Sequence, residues 1–129
     1  MGNAPSAIFV LERPELELER VDEHSLHLGV RARQEHIELG LYGDEQLQRL
    51  TELLELRLPD LNLGEFEGRR VAAGLSSFRY RTLYFFLDDP QTLGFVIQSK
   101  HGSWLGKGRL GPKERADWRT EVERVLVAS

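Results

Sequence analysis

Twice along this chain of 129 residues the spacing of apolar side chains switches from every second position to every third or fourth. A period of two belongs to a strand with one wet face, and a period of about 3.6 to an amphipathic helix. Two such switches demand strands followed by a helix, then strands followed by a helix again. That order excludes a helical bundle and an all-strand sandwich, and it predicts an α+β fold.

The first passage opens with residues 15–21, which alternate at their start. Asp22 to Ser25 reads as a turn. Residues 26–33 alternate strictly, with Leu26, Leu28, Val30 and Ala32 on one face and His27, Gly29, Arg31 and Arg33 on the other. After a turn at Gln34-Glu35, residues 36–42 place Ile37, Leu39 and Leu41 inward. A helix over 44–58 follows, with Asp44 as its cap and Leu47, Leu50, Leu54 and Leu58 as its stripe. Pro59 stops it.

Residues 60–70 read as a connector containing two glycines. The second passage begins with a short strand in 71–76 and a long aromatic-rich strand over 77–87. Turns at 88–91 and at Gly102 separate strands over 93–100 and 103–110. Gly111-Pro112 opens a helix to residue 127, striped by Trp118, Val122, Val125 and Leu126. The prediction is one domain, 1–129, made of units at 15–58 and 71–127. Their antiparallel sheets share a core, helices near 44–58 and 112–127 cover them, and residues 1–6 form a disordered tail.

Composition narrows the chemistry. The chain has no cysteine, which removes disulfides, thiolate metal sites and cysteine nucleophiles and fits a reducing, cytoplasmic setting. It has no apolar run near ~20 residues and no signal-peptide core, since residues 7–11 are too short, so no membrane span is expected. The start, Met-Gly-Asn-Ala-Pro-Ser, matches the short pattern for N-myristoylation.

Residues 106–111 spell G-x-G-x-x-G but lack the parallel βαβ setting and the acidic residue that a dinucleotide site needs. Their glycines are read as permitting tight turns and close backbone approach, although Lys107 and Arg109 there are placed to meet phosphate. His24, His27 and His36 lack metal-ligand spacing, and Asp88-Asp89 before Pro90 reads as a turn. No catalytic residues, metal or cofactor are expected, and the chain is not read as an enzyme.

Charge is unevenly distributed. Residues 1–68 hold six Arg/Lys against fifteen Asp/Glu, whereas residues 69–119 hold ten against four. Either the two halves pair with each other or the basic half meets an anionic partner. Aromatic residues interleave with that basic half. The candidate nucleic-acid-binding set is Arg79, Tyr80, Arg81, Lys100, Trp104, Lys107 and Arg109. The cations would neutralise phosphates while Tyr80 and Trp104 stack on bases.

The stretch from Thr82 to Lys100, a strand, a polar turn and then Gly94-Phe-Val-Ile97, resembles the Pur-alpha repeat family. Leu110 to Arg119 looks like the entry to that family's helix, and His36 to Tyr42 with the helix from Asp44 looks like the end of a repeat. The plan is also similar to the Whirly and positive-cofactor coactivator architecture. The resemblance implies two intertwined repeats that bind single-stranded DNA or RNA. It departs from the family in having an acidic first half, and Gln91 to Phe95 stand where the family carries an Arg-Gly-Arg-Phe-type segment. Two functions therefore stand side by side: a single-stranded nucleic-acid-binding module, or a protein-interaction module of the secretion-chaperone or immunity-protein kind. Unpaired strand edges predict a homodimer in either case.

Overall fold

A computed structural model describes residues 8–33, 35–77 and 80–127; the expected tail at 1–6, Phe78 and Arg79 lie outside them. The chain enters through a short strand, β1 (Phe9–Leu11), and continues into β2 (Glu15–Arg20), β3 (Ser25–Arg31) and β4 (His36–Gly43). β2, β3 and β4 pair in order as the expected antiparallel meander, with Leu16, Leu18, Leu26, Leu28 and Val30 buried. One face differs from expectation. The β3–β4 register slips between Leu28 and Gly29, where Leu39 is the extra residue beside Gly40, whose φ is +117°. A bulge shifts the alternation by one position. Tyr42 therefore points into the core, and Leu41, expected there, is half-buried.

Helix α1 (Asp44–Leu54) buries Leu47, Leu50, Leu53 and Leu54. Its cap is not Asp44 but Gly43, which offers no side-chain bond. The Asp44 carboxylate instead accepts a 2.9 Å bond from Arg20. The helix also stops before Leu58. Leu56 takes a φ of 63°, its N–H donates to Leu53 O, and the Arg57 N–H donates to Glu52 O. That left-handed closure ends the helix ahead of Pro59. Arg115 further satisfies the last turn by donating to Leu54 O at 3.1 Å.

The connector is not structureless. It forms a hairpin of β5 (Glu65–Phe66) and β6 (Arg69–Arg70). Glu67 and Gly68 both have positive φ, as a two-residue hairpin turn requires. Strands β7 (Ala73–Ser76), β8 (Thr82–Asp89), β9 (Thr92–Gln98) and β10 (Trp104–Leu110) then pair antiparallel in sequence order. The long strand begins at Thr82, not at 77, because Ser77 and Arg81 close a turn onto Leu39 O of β4. Helix α2 (Pro112–Val127) starts at the proline, and Glu114 reaches back to the Gly111 N–H at 3.3 Å. Trp118, Val122 and Val125 are buried as expected. Neither helix is long and apolar enough, among the described residues, to cross a membrane.

The fold is thus α+β, with one amendment to the sheets. β1 pairs parallel with β10, so the larger sheet is mixed, in the order β1-β10-β9-β8-β7. One core fills the space between the five-stranded sheet, the three-stranded sheet and both helices. It takes in Leu83, Phe85, Leu93, Phe95 and Ile97 from the larger sheet. A second, smaller cluster lies on the opposite face of that sheet.

Candidate functional site

Alternation along β8, β9 and β10 sends Tyr84, Phe86, Val96, Lys107 and Arg109 to the face turned away from the main core. The β5–β6 hairpin lays Phe66 onto this outer face. Phe66 packs against Phe86 at 6.2 Å and edge-on against Trp104 at 5.2 Å, and Trp104 meets Tyr84 at 6.0 Å. Gly94 makes room for this cluster, because a Cβ there would lie 2.3 Å from the Phe86 ring.

The G-x-G-x-x-G stretch lies largely within β10 and serves packing. A Cβ on Gly108 would fall 2.5 Å from the Phe95 ring, and one on Gly106 would fall 2.9 Å from Ile37. The glycines thus let core side chains approach the strand, in accord with the close-approach reading.

Between the hairpin and β1 the outer face opens into a groove of about 370 Å³. Val10, Phe66 and Phe86 supply apolar walls, and charged side chains stand around the rim. Three of the four cations are already matched, whereas Arg13 and the neighbouring Glu12 have no ion-pair partner among the described residues. Lys107 Nζ lies 2.6 Å from Glu67, across the hairpin. Arg109 meets Asp88 at 2.6 Å and Asp89 at 3.3 Å. Arg69 meets the other oxygen of Asp88 at 3.2 Å. The Gln91 N–H, the Thr92 hydroxyl and Arg109 hold the Asp89 carboxyl below the usual carboxylate range.

The seven residues expected to bind nucleic acid divide between two places. Lys107 and Arg109 stand at the groove. Tyr80, Arg81 and Lys100 line a separate shallow depression with Glu38, Ser99 and His101. There Arg81 is tied down, donating 2.8 Å to Glu38 O. Trp104 is half-buried beneath Phe66, where it packs and does not offer a free stacking face. Arg79 lies outside the described residues.

Sequence reasoning missed Val10 and Phe66, two walls of the groove. Phe66 had a legible signal, a lone aromatic residue just before a Glu-Gly turn in a polar connector. β1 is three residues long and shows no period.

His36 and Arg31 both pair with Glu17, at 2.7 Å and 2.9 Å, across the outer face of the three-stranded sheet. Among the described residues, no group of three or more His, Asp or Glu side chains is arranged to hold a metal ion. Comparison with protein-family models, with curated proteins and with solved structures finds no match to this chain.

Proposed function

We propose that this chain is a protein-interaction module that receives a partner at the groove on the outer face of its five-stranded sheet. One observation carries this reading: three of the four basic residues that line the groove are neutralised by the chain's own carboxylates. Lys107 is held by Glu67, Arg109 by Asp88 and Asp89, and Arg69 by Asp88. Phosphate binding draws its strength from free cations that release counterions. At this face a phosphate would have to displace carboxylates that stay close by. What the groove offers instead is apolar wall within a rim whose charges are mostly matched, the composition of a protein-binding patch.

Nucleic-acid binding is the second reading, and it rests on the other depression. There Tyr80 is 55% exposed beside Lys100, and the resemblance to Pur-type repeats points the same way.

Fluorescence anisotropy with labelled single-stranded oligonucleotides, at about 50 and about 200 mM salt, separates the two readings. The expected result is no saturable binding tighter than about 100 μM at either salt. Micromolar binding that weakens steeply with salt, and that loses about one unit of salt slope in Lys100→Ala, would reverse the choice.

A further inference from the structure

Open strand edges invite pairing, and folded proteins cover them. Three edges of this fold are covered by side chains. On β2, the Glu121 carboxylate accepts the Leu18 N–H at 3.4 Å, and Arg124 donates to Leu18 O at 3.2 Å. On β4, Leu39 O accepts from the Ser77 hydroxyl at 2.7 Å, and Arg81 donates to Glu38 O. At β7, Gln46 donates to Ser76 O at 3.0 Å, and the Tyr42 hydroxyl lies 3.4 Å from Leu75 O.

β1 is different. Among the described residues its one ladder partner is β10; Leu11 is buried in the core, but Phe9 is 47% and Val10 62% exposed. The direction of its free groups can be read from the packing. A Cβ on Gly106 would lie 3.4 Å from Phe9 O, and one on Gly108 would lie 3.2 Å from Leu11 O. Those carbonyls therefore turn toward β10. By alternation along a strand, the Val10 N–H and C=O turn to the open side.

We infer that the partner docks as an added β-strand: an extended segment of another protein pairs with the free edge of β1 through Val10, puts one apolar side chain into the groove and sets a carboxylate against Arg13. The inference rests on the protein-binding reading above and names its partner.

Size argues for a linear segment over a second folded copy. The edge is three residues long, roughly 10 Å, beside a single groove. An interface between two folded proteins buries about 800 Å² on each side, from some 20–30 residues. A short edge beside an apolar-walled groove, roomy enough for a large side chain, fits the mode in which main-chain bonds hold a peptide and a pocket selects its side chain.

Charge argues for the carboxylate. Lys107, Arg109 and Arg69 are matched at the rim. Arg13 also lines the groove, and among the described residues it meets no carboxylate. Its φ of 48° is unusual for a side chain with a Cβ, and it turns the chain sharply just past the end of β1.

The test is to pan a displayed library of random heptapeptides against the full chain and to synthesise the best binder. The expected consensus alternates β-branched or aromatic residues and carries Asp or Glu at one end. Val10→Pro removes an N–H that faces the open side, so the fold should keep its melting temperature while peptide affinity falls about tenfold or more. Val10→Thr keeps both the N–H and the branched shape, and should change affinity less than about threefold. Arg13→Glu should weaken the acidic peptide by about two- to fivefold and favour its lysine counterpart.

N-methylation along the peptide supplies a readout independent of how Val10→Pro folds. Methyl groups at alternate positions should abolish binding. Equal binding by wild type and a folded Val10→Pro, or tolerance of every N-methyl group, overturns strand addition and leaves the protein-binding reading intact. Failure of any peptide to enrich over an unrelated control protein overturns the inference as well, and the oligonucleotide measurement then judges the reading beneath it.

Discussion

Tyr42 shows how one side chain can tie separate parts of the fold together. Its ring is buried in the main core, and its hydroxyl lies 3.1 Å from Arg81 O and 3.4 Å from Leu75 O. It thereby joins β4 to the turn before β8 and to β7. Burial pushes the phenol well above its ordinary pKa, and the Ser77 hydroxyl pulls it back only in part. A phenol with a raised folded pKa contributes stability that is whole below the unfolded value, near 10, and is lost as pH rises beyond it. The urea midpoint should therefore fall as pH climbs past about 10, and less steeply in Tyr42→Phe. At pH 7 the same substitution should cost about 1 kcal/mol, the usual net worth of a buried hydrogen bond. Identical alkaline profiles for the two proteins would show that Tyr42 ionises freely in the folded state.

Among the elements, α1 is amphipathic but poorly begun. Four leucines anchor it, and Asp44 and Glu45 suit its dipole. Yet its first turn has no side-chain cap, because Gly43 stands at the capping position and Asp44 is engaged with Arg20. The Gly43 backbone, at φ −96° and ψ 166°, is open to any residue. A Cβ there would meet nothing closer than His24 O at 3.7 Å. Gly43→Ser should therefore stabilise the protein by about 0.5–1 kcal/mol, through a new cap and a less flexible unfolded chain. That corresponds to a rise of roughly 2–4 °C in a thermal melt. A lower melting temperature would mean that the pairing of Gly43 with Ser25 at the end of the β3–β4 ladder needs the smaller residue.

At the scale of the molecule, two opposed charge fields are folded against each other. Several cations of residues 69–119 find carboxylates, some in the first half, as Lys107 finds Glu67 and Arg70 finds Asp60, and some in their own half, as Arg109 finds Asp88. These pairs are largely exposed, so they shape the surface potential more than they add stability. With the edges of β2, β4 and β7 covered, the three-residue edge of β1 is too small to hold two copies together at low concentration. Sedimentation at about 10–100 μM, concentrations at which interfaces of ordinary size are occupied, should return a single species of 14.8 kDa. A stable dimer dissociated by Val10→Pro would instead seat a second copy on β1.

By itself the sequence determined the order of the longer strands and the helices in both halves, the inward face of β3, and most of the buried stripe of each helix, but not β1 or the β5–β6 hairpin. Each of these depends on side chains a few positions apart, so a local period records it. The period misled where one residue was added. The Leu39–Gly40 bulge exchanged Leu41 for Tyr42, and no propensity marks such an insertion. The candidate site was legible only in its parts. The basic and aromatic residues could be named, but whether they are free depended on partners far along the chain. Lys107 and Glu67 are 40 positions apart, and the three residues of β1 join β10 across almost the whole sequence. The tertiary structure alone decided that Lys107, Arg109 and Arg69 are matched, that Phe66 walls a groove and that β1 has an open edge among the described residues, because contacts between distant segments leave no repeating mark in the sequence that makes them.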